Sequence, residues 1–397
     1  MTVELAIVLI TGLVLVCVLL TPLSTRIGAP LLLIFLLIGM LAGEDGPGGL
    51  DFDDFDLAYE VGSVALAVIL FAGGLGTPVA DIRRAFGPAL VLATVGVMLT
   101  TVLVALVAHL GFGFDIVRSL LLGAVIGSTD AAATFLLLQS RGVRLKGRVR
   151  EIILIESGIN DPTAIFLTTV FVGLVDSGIT TLSWEVVGTG LPIFAQQVAG
   201  GLAGGFGGGF LLAGLINRIE LQPGLYPVLV LAAGLLLFEL TQLAGGSGYL
   251  AVFIAGVILA HRLQHTTERI INFHEGCSWL CQIIMFLMLG LLVTPHDLVA
   301  GIGLALVIAL ALILLARPLA TVICLTPFGL NWREQTYIGW VGLRGAVPIF
   351  LAIIPVISPG PIDTNFFNVV FVIVIASLIL QGWTIPVTAR WLRLTMA

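Results

Sequence analysis

The sequence predicts an all-α polytopic membrane protein of thirteen transmembrane helices, and three observations point there. Hydrophobic residues make up 59% of the 397-residue chain and charged residues only 10%. A soluble domain carries roughly a quarter charged residues. Mean hydropathy is +1.17, and the apolar residues fall into runs near the ~20 residues that cross a bilayer.

The runs lie near residues 3–21, 27–43, 59–76, 88–111, 117–139, 151–175, 186–215, 225–243, 247–263, 276–293, 298–325, 336–356 and 366–388. The N-terminus has no basic segment or small-residue cleavage site, so the first run is read as a permanent span. An odd number of spans puts the termini on opposite sides. One set of alternate connections, with the C-terminal tail, holds fourteen of the 17 Lys and Arg residues, including Arg83, Arg84, Arg141, Arg144, Lys146, Arg148 and Arg150. The opposite set holds only Arg118. The positive-inside rule then places the N-terminus outside and the C-terminus in the cytoplasm. The second loop is acidic, with Glu44, Asp45, Asp51, Asp53, Asp54, Asp56 and Glu60. It is either a solvated outer loop or a funnel that attracts cations.

Spans one to six begin outside and spans eight to thirteen inside, which predicts two inverted six-helix repeats joined by span seven, at 186–215. Inverted repeats are frequent in secondary transporters. The glycines of span seven (Gly200, Gly201, Gly204, Gly205, Gly207, Gly208 and Gly209) suit close helix packing more than a hinge.

Ionisable side chains near the bilayer centre cost about 3 kcal/mol each on insertion scales and need partners. Five stand out: Asp130, Glu156, Asp161, Arg317 and Arg344. Asp130 lies mid-span among small residues, Gly127-Ser128-Thr129-Asp130-Ala131. Its counterpart in span twelve is Gly342-Leu343-Arg344-Gly345, with Pro348 just beyond. Both segments suit crossed helices that unwind at a midplane site, because irregular backbone is tolerated in a membrane only where it lines protein or water.

Span six carries Glu156-Ser157-Gly158-Ile159-Asn160-Asp161-Pro162. At about 100° per residue, Ser157 and Asp161 stack on one face, with Glu156 and Asn160 on the next. Pro162 cannot donate a backbone hydrogen bond and frees a carbonyl one turn earlier. Alkali cations take oxygen ligands; Asp130, Asp161, Ser157 and the carbonyl of Thr129 offer that set. A carboxylate shielded from water favours its neutral form, so proton and cation would compete for Asp161. That competition, in a site open to one side at a time, suffices for antiport. Glu156 is expected to pair with a buried arginine, Arg317 first and Arg344 second.

The block Thr129-Asp130, the segment Glu156-Ser157 to Asn160-Asp161 and the tetrapeptide Gly342-Leu343-Arg344-Gly345 together resemble the monovalent cation/proton antiporter family. The branch is the one with NhaP-type sodium or potassium/proton antiporters, including members that regulate cell volume, and the animal sodium/proton exchangers. The resemblance implies a homodimer in the plasma membrane. Its dimer-domain helices would lie within 1–87 and 225–293, and its mobile core within 88–175 and 298–388, moving as an elevator. It implies that Asp161 carries both proton and K⁺ or Na⁺, that Thr129, Asp130, Ser157 and Asn160 help hold the ion, that Glu156 pairs with Arg317, and that Arg344 belongs to the core. With Asn160 where the electrogenic branch has a second aspartate, it implies electroneutral exchange. Ala72 departs from the acidic residue that many relatives carry there.

No cofactor, nucleic-acid partner or enzymatic activity is expected. A sodium-coupled symporter of a small organic solute on the same fold is the main competitor. An intramembrane aspartyl protease also needs two membrane aspartates, but the Gly-x-Gly-Asp motif is missing. His261 and His265 near the end of span nine either tune activity with pH or are plain loop residues.

Overall fold

The computed structural model describes residues 3–27, 30–77, 82–181, 184–263 and 267–396. The described residues form helices joined by short turns, with only two isolated β-bridges. The first three spans are α1 (Val3–Ile27), α2 (Leu31–Ala42) and α3 (Phe55–Leu75). Span four is α4 (Ile82–Val91), a π-helical turn at Leu92–Gly96 and α5 (Val97–Phe112). Span five is broken into α6 (Ile116–Val125) and α7 (Ala131–Ser140), with the long α8 (Gly147–Asp176) after it. Next come α9 (Trp184–Ile216), α10 (Leu225–Leu243), α11 (Gly248–Arg262) and α12 (Thr267–Leu291).

The second half repeats the plan of the first. Span eleven is α13 (Leu298–Ala311), a π turn at Leu312–Ala316 and α14 (Arg317–Leu325). Span twelve is broken into α15 (Trp332–Trp340), α16 (Ala346–Leu351) and α17 (Ile353–Ile357). The chain closes with α18 (Thr364–Trp391). Among the described residues eight helices are long and apolar enough to cross a membrane, and five shorter apolar helices fall at other predicted spans.

Polar caps set the helix ends. Asp54, Asp115 and Ser247 accept hydrogen bonds from the first turns of α3, α6 and α11, and Asn331 with Glu334 forms a capping box at α15. Each satisfies amide groups that have no partner inside the helix. The helices begin before their apolar runs: α8 starts at Gly147 rather than 151 and α15 at Trp332 rather than 336. Polar residues at an aqueous boundary continue a helix that the hydropathy window has already left.

The helices pack as two groups, α1–α3 with α9–α12, and α4–α8 with α13–α18. In the first group the glycines of α9 form a contact seam. An added Cβ would meet Ser247 from Gly201, Ala251 from Gly205 and Ala255 from Gly209, so one face of α9 lies directly on α11. Small residues let two backbones approach in a membrane, where dispersion replaces the hydrophobic drive. Gly204 and Gly208 bring the adjacent face against α10. Large apolar side chains such as Leu15, Leu19, Leu191, Leu211 and Leu243 stay exposed on the outer helices, as expected of surface solvated by lipid.

Candidate functional site

The two broken helices cross at the middle of the second group. Residues between α6 and α7 and between α15 and α16 leave the helical path, and Asp130 N–H donates to the carbonyl of Leu343 at 2.8 Å. Asp130 is the N-cap of α7, accepting from Ala133 N–H at 2.9 Å. Arg344, buried between the arms, donates from Nη1 to the carbonyl of Ser128. Its backbone N–H is held by Ser377 Oγ at 3.1 Å, and Ser377 donates to Gln381, which holds the carbonyl of Trp340. Arg344 thus supplies positive charge to the freed carbonyl end of α6, and α18 braces the break in span twelve.

α8 runs beside the crossing and passes Pro162 without interruption. Ser157 Oγ donates to the carbonyl of Thr129 at 2.9 Å and accepts from Ala131 N–H at 3.1 Å, so one hydroxyl ties α8 to both sides of the unwound segment. Asn160 Nδ2 donates to Thr129 Oγ1 at 2.6 Å. Asn160 is fully buried and is not among the residues that line the cavity; it stands behind Thr129.

On the neighbouring stripe, Glu156 and Arg317 form an ion pair. Arg317 Nη2 lies 2.6 Å from Oε1 and donates to Oε2 at 2.8 Å, with both side chains buried. The π turn at Leu312–Ala316 ends immediately before Arg317, and such a turn shifts the register of the helix beyond it. Gly342 leaves room for the arginine: a Cβ there would stand 2.9 Å from Nε. Arg344 therefore meets Ser128, and Arg317 meets Glu156.

Thr129, Asp130, Ser157 and Asp161 line one cavity of about 340 Å³ between the two helix groups. Asp161 is 6% exposed; its Oδ1 makes no hydrogen bond of ordinary geometry among the described residues, and the Ser128 side chain is the one partner within reach of the carboxyl. Ser128 lines the same cavity, and its buried hydroxyl has no other partner among the described residues. Buried polar atoms are nearly always satisfied, so an under-satisfied carboxyl beside a cavity is a place where another species can sit. Carboxylate, hydroxyl and carbonyl oxygens suit a hard monovalent cation as cargo.

The cavity also has residues that sequence reasoning missed. Glu275, Ser278 and Gln282 line it from α12, and Gln139 from the end of α7. Gln282 Oε1 is buried without a partner. The spacing of three and four residues puts the α12 trio on one helical face, which was the available signal. Ala72 lines the same cavity, so an acidic group faces it from α12 rather than from that position of α3. His261 is exposed, away from this cavity; His265 lies outside the described residues.

A profile of the family described as sodium/hydrogen exchanger, transmembrane, matches residues 12–391. The chain is 45% identical over 392 residues to the K⁺/H⁺ antiporter NhaP of Alkalimonas amylolytica, covering 99% of this chain and 67% of that protein. It is 43% identical over 376 residues to the K⁺/H⁺ antiporter NhaP2 of Shewanella baltica, covering 94% of this chain and 64% of that one. The chain thus spans about two thirds of the length of these curated relatives. The structure of the sodium proton antiporter MjNhaP1 from Methanocaldococcus jannaschii superposes with a TM-score of 0.84 at 24% identity, covering 99% of both chains, and shares the fold. The chain belongs to the sodium/hydrogen exchanger family of transmembrane proteins.

Proposed function

We propose that the protein exchanges protons for K⁺ or Na⁺ across the bacterial inner membrane, with Asp161 as the shared carrier. The observation that carries this reading is Asp161 Oδ1, buried beside a cavity without an ordinary hydrogen bond, in a carboxyl whose one side-chain partner is Ser128; other oxygens of that cavity come from Thr129, Asp130 and Ser157. Either a proton or a dehydrated cation satisfies that oxygen, and one excludes the other. K⁺ is the favoured cation because the relatives of 43–45% identity bear K⁺/H⁺ names.

Asp130 and Ser157 complete the ligand set from the crossing. Asn160 acts one step back, by orienting the Thr129 hydroxyl. As a neutral side chain next to Asp161 in the sequence, it adds no second titratable group there, which supports one-for-one, electroneutral exchange. Glu156 and Arg317 neutralise each other and hold α8 to α14.

The cavity runs from the crossing toward Gln139 and Glu275, at the end that carries the basic loop 141–150. On the positive-inside rule that end is cytoplasmic, so this conformation faces inward, with the N-terminus outside. Alternating access is achieved if α4–α8 and α13–α18 move as one body against α1–α3 and α9–α12 of a homodimer. The carboxylates of Asp130, Asp161 and Glu275 at the cavity disfavour an anionic organic solute, and the relatives matched are antiporters by name, so the symporter reading has no support.

The test is exchange in proteoliposomes with an internal pH dye, across Li⁺, Na⁺, K⁺ and Rb⁺. Wild type should move protons against K⁺ or Na⁺, and Asp161→Asn should fall to the protein-free background while keeping its thermal unfolding midpoint. Wild-type exchange by Asp161→Asn defeats the reading.

A further inference from the structure

A second cavity, of about 600 Å³, lies at the same end of the molecule as the mouth of the ion cavity. Its walls come from the end of α7, the loop from α7 to α8, the first turn of α8 and the C-terminal segment. Two arginines face it, Arg144 from the loop and Arg150 from α8. Arg144 has no side-chain hydrogen bond or ion pair among the described residues, and Arg150 only lies over the ring of Phe135, 5.7 Å from its centroid.

The surroundings are strongly positive. Residues 141–151 hold Arg141, Arg144, Lys146, Arg148 and Arg150 against the single carboxylate Glu151. Glu151 is not on the cavity wall; its Oε1 sits beside Gly147 at the start of α8. A basic loop is ordinary on the cytoplasmic side. A concave pocket with two uncompensated guanidinium groups on its wall is not explained by that rule.

The loop backbone is also fixed. Lys146 N–H donates to the carbonyl of Leu394 at 2.9 Å and Met396 N–H to the carbonyl of Arg144 at 2.8 Å. Arg390 Nη2 holds the carbonyl of Arg141 at 3.0 Å. The base of the Arg144 side chain is therefore pre-positioned, which lowers the ordering cost of binding. Guanidinium groups match phosphate oxygens in bidentate geometry.

We propose that this pocket binds a phosphate-bearing anion through Arg144 and Arg150, and that its occupancy eases cation entry to the ion cavity. Phe135 and Gln139 line both cavities, so the two share a wall. Unneutralised, the arginines oppose an approaching cation; a bound phosphate cancels that field. The effect on entry rests on the exchange function proposed above, whereas the binding does not.

The purified chain in neutral detergent is titrated calorimetrically with inorganic pyrophosphate and, separately, with a short-chain phosphatidylglycerol. Wild type and the control Arg269→Gln, on another basic loop, should bind at least one probe; Arg144→Gln/Arg150→Gln should lose about tenfold or more in affinity. Pyrophosphate binding identifies a free phosphate compound, and phosphatidylglycerol binding alone identifies a lipid headgroup. Failure of wild type to bind either probe, or affinity in the double variant within about twofold of wild type, overturns the proposal. Arg144→Gln alone, a change at an exposed side chain, gives the same reading if the double variant does not fold. In phosphatidylcholine proteoliposomes the bound probe should lower the half-saturating K⁺ concentration about two- to fivefold in wild type and leave the double variant unmoved. An unmoved wild type overturns the coupling. Binding without any exchange counts against the proposed function and leaves the pocket standing.

Discussion

The carboxylate of Asp130 occupies the space into which a side chain on Gly345 would project. The two broken helices therefore interlock at atomic contact: Asp130 caps its own half-helix, ties its backbone to Leu343 and fills the notch left by Gly345. Gly345→Ala forces the crossing apart. Overpacking of this kind costs about 1–3 kcal/mol, and the displaced atom belongs to the proposed ion-binding set. Exchange in proteoliposomes should drop at least about tenfold and the thermal midpoint should fall. Gly214→Ala, whose added methyl meets open space on α9, should change neither. Full activity in Gly345→Ala would mean that the crossing yields without cost to the ion site.

Glu156 and Arg317 should behave as a structural unit. Removing one partner leaves an unpaired buried charge, at a cost of about 3–5 kcal/mol. Glu156→Gln and Arg317→Gln should each depress the thermal midpoint in detergent strongly. The double variant should be less destabilised than the sum of the two, because neither charge is then stranded. It should also retain cation-dependent exchange with a half-saturating concentration within about threefold of wild type. Additive losses would show that the two side chains do not act on each other.

The crossing was legible because membranes punish irregular backbone. Small residues and a charge at mid-span in two symmetric places, with a proline beyond the second, suit a broken helix and little else in lipid. The facing of Ser157 and Asp161 came from helical periodicity alone. The π turns were not legible: Leu92-Ala-Thr-Val-Gly96 and Leu312-Ile-Leu-Leu-Ala316 contain no residue that distinguishes a π turn from an α turn. Nor was the pairing of Leu394–Met396 with Arg144–Lys146, a contact between segments 248 to 252 positions apart. Glu275, Ser278 and Gln282 have helical spacing, but only the tertiary arrangement reveals that their face looks across a cavity at α7.

Glu275 should act on access rather than on the carrier step. It is exposed, on the helix group opposite Asp161, and supplies a negative charge to the cavity through which the proposed cargo would pass. Low-dielectric walls focus such a field. Glu275→Gln should raise the half-saturating cation concentration about two- to fivefold with the maximal rate unchanged. The difference should shrink as ionic strength rises, because exposed charges are screened. A fall in maximal rate at unchanged half-saturation would put Glu275 in the carrier step instead.

At the opposite end, Asp45 in the loop after α2 meets His296 in the turn before α13. His296 Nδ1 lies 2.5 Å from Asp45 Oδ2, which also accepts the His296 backbone N–H at 3.0 Å. Asp45, with further help from Asp297 and Glu44, raises the imidazole above its ordinary value of 6.5. The hydrogen bonds from His296 hold the Asp45 carboxyl below its ordinary 3.8. The histidine contribution to stability is complete below pH 6.5 and is lost as pH rises through the raised value; the aspartate contribution is present above pH 3.8 and is lost as pH falls through the lowered one. Between those limits the contact is at full strength, and on the alkaline side it fades. The thermal midpoint of wild type should therefore decline from pH 6 to pH 8.5 by more than that of His296→Ala, with the two curves converging at high pH. Because both groups are exposed, added salt should narrow the gap. Parallel curves for the two proteins across this range would show that the bridge contributes nothing that titrates.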